Sequence, residues 1–168
     1  MEKHDFLLLQ RAIEEASVSL EEHTYPIGAV IADEAGNIVA VGRNLVNSHE
    51  DITAHAEIVA LRNGGKAILD AKLKGGNLTL YTSLEPCPMC TGAILFSHIK
   101  RVVWALNDET GFGGFRTLKD SALYSSRFEA IQATSEPFDD LKKIQLAMME
   151  SWSKSPHNIV NQRKATVQ

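Results

Sequence analysis

A three-layer α-β-α sandwich around a mixed five-stranded sheet is the fold class this sequence predicts, and three observations lead to it. Helical and strand-like periodicities alternate along the chain in the order α-β-β-α-β-α-β-β-α. The first two strands are joined by a short glycine turn and so run antiparallel, whereas strands three and four are joined through a helix and so run parallel. A length of 168 residues suits one domain with a sizeable core and is short for two.

Each element has a local cause. From His4 to about Glu22, Leu9, Ile13, Ala16 and Leu20 recur at helical spacing, an amphipathic pattern that needs a sheet to cover. "IGAVIAD" (27–33) and "NIVAVGRN" (37–44) are β-rich runs separated by "EAG", where glycine supplies the turn. "AHAEIVALRN" is helical and predicted to close at Gly64-Gly65, and "NLTLYTS" (77–83) is a strand. "CPMCTGAILFS" (87–97) is a helix with Pro88 tolerated in its first turn, followed by the strand "KRVVWAL" (100–106). A glycine-rich loop, "NDETGFGGF", leads to a last strand, "RFEAIQA" (127–133), and a helix from about Pro137 to Ser153. Residues 154–168 show no periodicity and are expected to form a flexible tail of a single domain spanning 1–168.

Composition narrows the function classes. A formal net charge of -4 and a pI near 5.9 argue against bulk electrostatic attraction to nucleic acid, although a local basic patch fits within that total. No segment approaches the ~20 apolar residues of a membrane span. The opening "MEKHDFLLLQRAIEE" carries acids and lacks a small-residue cleavage site, so a cytoplasmic location is expected. Cys87 and Cys90 are the only cysteines, which excludes a disulfide framework and points to metal or redox chemistry.

His55 and Glu57 stand two apart in "TAHAEIVAL", and Cys87 and Cys90 three apart in "SLEPCPMCTGAI". Imidazole nitrogen and thiolate sulfur are preferred zinc ligands, and a structural site is almost always filled by four protein ligands, so three leave one position open. An open position holds water, whose pKa zinc lowers to about 7, which makes a hydrolytic site. His55 and Glu57 lie roughly 200 degrees apart around a helix. They converge only just beyond a helix start, which places both helix N-termini at the metal and frees Glu57 to carry protons. His98, the one other conceivable ligand, lies two turns from Cys90, about 12 Å along a helix axis. His4, His23, His49 and His157 read as solvated residues. Two other readings stand beside this one: a redox dithiol, which leaves His55 and Glu57 without a role, and a non-catalytic, zinc-stabilised binding module.

"HAE" followed by "PCxxC" resembles the motif of zinc nucleobase deaminases. From about Tyr25 to Phe115 the chain resembles the cytidine-deaminase-like superfamily, in the branch of tRNA adenosine, guanine and cytosine deaminases. "PIGAVI", "GRN", "TAHAEIVALRNGG", "LYTSLEPCPMC", "TGAI" and "RVVWALNDETG" carry that resemblance in order and spacing. It implies the cytidine-deaminase fold, zinc bound by His55, Cys87 and Cys90, and Glu57 as the proton shuttle that ends in release of ammonia. It further implies a substrate-contacting amide at Asn44, backbone groups of Ala56 and Glu85 around the base, and a homodimer. Phe112 and Phe115 are candidates to stack on a base or to anchor their loop to the core, at least one of them the latter. The acidic charge and a final helix without an arginine cluster favour a small-molecule nucleobase or nucleoside, with tRNA-specific adenosine deamination as the alternative. Ile52 stands where the tRNA and guanine enzymes usually carry proline.

Overall fold

In the computed structural model, which describes residues 2–109 and 112–166, alternation within each strand decides which side chains face which helix layer. The strands are β1 (Gly28–Asp33), β2 (Ile38–Arg43), β3 (Leu78–Thr82), β4 (Ile99–Trp104) and β5 (Gln132–Ser135), joined in the order β2-β1-β3-β4-β5. β1 pairs antiparallel with both β2 and β3, whereas β3, β4 and β5 run parallel. The β1–β2 turn closes on Asp33, whose carboxylate accepts from the backbone N–H of Ala35 and Asn37 at 3.0 and 2.9 Å.

Val30, Ala32, Tyr81, Val103 and Ala105 face α1 (Glu2–Glu21), which inserts Leu8, Leu9, Ala12 and Ile13 between them. Helix α7 (Asp139–Ser153) completes this layer through Leu141 and Met148. The other face, carrying Ala29, Ile31, Leu80, Val102 and Trp104, is covered by α2 (Ala56–Asn63), α3 (Gly65–Lys74), α4 (Pro88–Phe96) and α5 (Gly114–Leu118). Both faces are therefore dry, and the expected three-layer sandwich is the observed one. Full burial of one side chain such as Leu9 contributes about 2 kcal/mol.

A polar bolt fixes the first layer in register. Asp5 of α1 accepts from the Tyr81 hydroxyl at 2.7 Å and from both terminal nitrogens of Arg101 at 2.7 and 2.8 Å. Burial by itself raises this carboxyl's pKa; the Arg101 and Tyr81 hydrogen bonds outweigh it and hold Asp5 below the usual aspartate range.

The helix α2 closes at Gly64 as expected, and a second helix that the sequence did not signal, α3, begins at Gly65 and is drawn onto the sheet by Ile68, which docks in the core. Two expectations are corrected. The segment 127–133 is not the last strand. Phe128 and Ile131 pack on the core from the short helix α6 (Ser125–Phe128) and the turn after it, and β5 begins at Gln132 as an edge strand paired only to β4. Where an irregular segment was expected, Ile159–Thr166 form a helix, α8, and residues 167–168 of the expected tail lie outside the described residues. Asn161 ties its start back to the carbonyls of Ser153 and Ser155, both at 2.9 Å, and Asn47 donates to the His157 carbonyl at 3.1 Å. Among the described residues no helix is long and apolar enough to cross a membrane.

Candidate active site

Two helices begin at one point. α2 lies directly on the backbone of β2, where a Cβ added to Gly42 would meet Ala56 O and Ala60 N at 2.3 Å, and this contact fixes the start of the helix, whose N-cap residue is His55. α4 follows β3, with Cys87 as its N-cap, Pro88 in the first turn and Cys90 buried behind it. Proline there gives up a backbone N–H that has no partner in the helix anyway. The two N-caps place His55 Nδ1 3.6 Å from both Cys87 Sγ and Cys90 Sγ.

That spacing suits a specific metal. Tetrahedral zinc, with bonds of about 2.3 Å to sulfur and about 2.0 Å to nitrogen, holds the two atom types about 3.6 Å apart. Among the described residues these three side chains are the one group of histidine, cysteine and carboxylate residues whose ligand atoms, all within 4.8 Å of one another, are disposed to hold a metal ion. His98 is not among them. The electrostatics fit as well. Hydrogen bonds from Cys90 and His55 pull the Cys87 thiol down to about 4, so it is a thiolate at neutral pH, and the positive end of α4 favours that charge. Cys90 is pushed the opposite way by its hydrogen bond to Cys87 and by burial. His55 is raised, chiefly by its contact with Cys87.

Glu57 is 3% exposed, with Oε2 3.4 Å from Cys90 Sγ. Burial pushes its carboxyl above the ordinary glutamate value, assisted by the neighbouring Cys87 charge and opposed by its own backbone N–H and by His55. A carboxyl held above its ordinary value is a stronger base than an exposed glutamate, a property suited to carrying protons.

The other sequence-derived residues divide. Asn44, just past β2, is buried; its Oδ1 accepts from Thr24 Oγ1 at 2.6 Å and from the Val46 N–H at 3.1 Å. Asn44 Nδ2 has no hydrogen-bond partner among the described residues, which leaves a buried donor to be matched. Ala56 is the first residue of α2, where the backbone N–H has no acceptor within the helix. Glu85 has its carboxylate fully engaged by Arg116 and by loop N–H groups, so only its backbone remains for a substrate. Phe112 is exposed, its N–H donating to Asp108 Oδ2 at 3.0 Å, while Phe115 is the core anchor, packed between Trp104 and Phe128.

Two features were not legible beforehand. His23 and His157, read as solvated, stack with ring centroids 4.2 Å apart. They line a cavity of about 550 Å³ with Asn47, Glu50, Ile52 and Gln162, next to the loop that runs into His55, and none of the three ligand residues lines it. Arg116 was also missed. A lone arginine after a glycine-rich loop gives no sign that a buried glutamate 31 positions earlier is its partner.

Residues 1–106 match the cytidine and deoxycytidylate deaminase zinc-binding region, more than half of the chain. A tRNA-specific adenosine deaminase of Haemophilus influenzae is 48% identical over 113 residues, 67% of this chain and 64% of that protein, so the chain spans just under two thirds of that relative. A guanine deaminase of Bacillus subtilis is 39% identical over 114 residues, 67% of this chain and 69% of that protein. Among solved structures, one from a study of A-to-I editing by tRNA:A34 deaminases at the wobble position of transfer RNA superposes with a TM-score of 0.66. It is 27% identical and covers 85% of this chain and 99% of its own. The sheet order, the paired N-caps and these matches agree, and the chain belongs to the cytidine and deoxycytidylate deaminase family of zinc-binding domains.

Proposed function

We propose that the protein is a zinc-dependent hydrolytic deaminase acting on adenosine in a tRNA and yielding inosine and ammonia. The 48% identity to the Haemophilus influenzae tRNA-specific adenosine deaminase carries this reading and moves it ahead of the free base or nucleoside that the charge balance favours. His55, Cys87 and Cys90 hold the zinc, which when bound supplies Lewis acidity and a water activated at neutral pH. The Glu57 carboxylate accepts one proton from the attacking water and delivers it to the ring nitrogen beside the aminated carbon; it then takes the remaining hydroxyl proton of the adduct and passes it to the departing amine, which leaves as ammonia while the carbonyl forms. Asn44 Nδ2 and the Ala56 N–H orient the base or its ribose, the Glu85 backbone lines the base, and Phe112 offers a face for stacking. The site lies in a single domain, and we take its location to be the cytoplasm.

Incubation with an anticodon stem-loop, adenosine, guanine, guanosine, cytosine and cytidine at two salt concentrations tests the substrate. Inosine is expected in the stem-loop, with an affinity falling at a log-log salt slope of about -0.7 to -0.9 per phosphate contact. The match to the guanine deaminase and the absence of an arginine cluster on α7 favour a second reading, a free aminated base. Ammonia from guanine or cytosine at a salt-independent rate, with an unchanged stem-loop, establishes that reading instead. Silence on every substrate by a zinc-loaded protein leaves a non-catalytic zinc-stabilised module.

A homodimer belongs to the same proposal. Met89, Gly92, Ala93 and Phe96 recur at helical spacing on the outer side of α4, with Met89 and Phe96 39% and 67% exposed, so the helix that carries both cysteines shows an apolar stripe to solvent. A second copy would cover it beside the metal ligands. Light scattering at micromolar concentration is expected to give twice the 18.5 kDa of one chain, and a species of 18.5 kDa alone rejects the dimer.

A further inference from the structure

We infer that Arg116 is a positioning residue for the metal centre, acting through Glu85 and helix α5 on the backbone of Cys87. The inference rests on the reading of His55, Cys87 and Cys90 as zinc ligands. Glu85 lies two residues before Cys87, and its side chain is fully buried. Four donors converge on it. Oε2 accepts from Arg116 Nε and Nη2, both at 2.8 Å, and from the Asp108 N–H at 3.2 Å; Oε1 accepts from the Arg116 N–H at 2.9 Å. Arg116 also meets Glu109 at 3.3 Å. A buried carboxylate bound by a fork of this kind has one geometry, so the start of α5 is fixed relative to Glu85.

The start of α5 in turn holds the cysteine segment. The N–H groups of Gly114 and Phe115 donate to the Pro86 carbonyl at 2.9 and 3.2 Å, and Thr91 Oγ1 donates to the same oxygen at 3.2 Å. Gly114 lies so close that a Cβ there would meet Pro88 N at 2.3 Å and the Cys87 carbonyl carbon at 2.6 Å. Phe115 locks the other side of α5 into the core against Trp104 and Phe128. The Pro86–Pro88 backbone is thereby pressed between its own helix and α5, and the direction of the Cys87 Cα–Cβ bond follows. Groups that orient metal ligands from behind change metal affinity without touching the metal.

The test compares wild-type protein with Arg116→Ala, Arg116→Lys and the double variant Glu85→Gln/Arg116→Met, at a temperature where circular dichroism shows each one folded. The double variant matters because Arg116→Ala alone leaves a buried carboxylate without its counter-charge and risks failing to fold. Zinc affinity is read by chelator competition, and ligand geometry by the visible absorption of the cobalt(II)-substituted protein. Arg116→Ala and the double variant are expected to bind zinc about 10- to 100-fold more weakly, with a displaced cobalt spectrum. Arg116→Lys should recover part of both, since one ammonium restores the charge and not the fork. Zinc affinity within twofold of wild type and an unshifted cobalt spectrum in the folded double variant overturn the inference. Neither measurement uses a substrate. A wild-type protein that binds zinc and deaminates nothing therefore refutes the proposed activity alone, whereas one that binds no zinc refutes the metal site and this inference together.

Discussion

Replacing Cys87 or Cys90 by alanine is expected to take bound zinc from about one ion per chain to a trace after dialysis against a chelator, and deamination to vanish with it. The candidate site offers three protein ligands, so each would carry a large share of the affinity. Structural zinc sites with four ligands reach about 10–16 kcal/mol, or roughly 3 kcal/mol per ligand, and one lost ligand therefore costs on the order of a hundredfold or more. The two variants differ in one respect. Hydrogen bonds from Cys90 and His55 hold the Cys87 thiol below its ordinary value, whereas the bond to Cys87 and burial push Cys90 above it. Metal analysis of the purified proteins decides the matter. A metal-free wild type whose two cysteines form a reversible disulfide would instead mark a redox dithiol.

Glu57→Ala is expected to keep its zinc and its fold and to lose deamination by about 10²- to 10⁴-fold, on the order of 3–5 kcal/mol of barrier. The separation of effects follows from placement. Glu57 sits in the first turn of α2, beside Cys90 and outside the group of three ligand atoms, so its removal subtracts a proton carrier and no metal bond. Glu57→Gln should be equally slow, because it keeps the volume and a hydrogen-bond acceptor while losing the titratable proton. Single-turnover rates on the active substrate, paired with zinc content, measure both parts. Activity within tenfold of wild type in either variant removes Glu57 from the role assigned to it.

Much of this was readable from residue order, and the parts that were not share a physical reason. The β1–β2 hairpin, the parallel β3–β4 pair and the α1 stripe express local periodicity, and local periodicity is written in consecutive residues. The candidate ligands stood out as well, because the chain has only two cysteines, and the structure brings them together with His55. α3 was lost because two adjacent glycines do end α2, and only the docking of Ile68 against the second layer shows that another helix follows at once. β5 was displaced because Phe128 and Ile131 are aromatic and β-branched, residue types enriched in strands, while what forms the strand is pairing with β4, a tertiary event. Glu85 was assigned to the substrate through its backbone, and the use of its carboxylate stayed hidden until α5 was seen against it.

The pairing of Ala29 with Thr82 bears on how the metal centre comes into being. β1 and β3 meet across a stretch of chain that contains β2, α2 and α3, and β3 leads directly into the cysteine helix. Neither N-cap reaches the other until that long loop has closed, and closing it is the slow, non-local kind of step that limits folding rates. On the ribosome, the strand that carries the cysteines into place is made well after the histidine that must meet them. The three candidate ligands therefore share one point only once β3 has paired with β1, and a nascent chain that ends before Cys87 carries the histidine and no site.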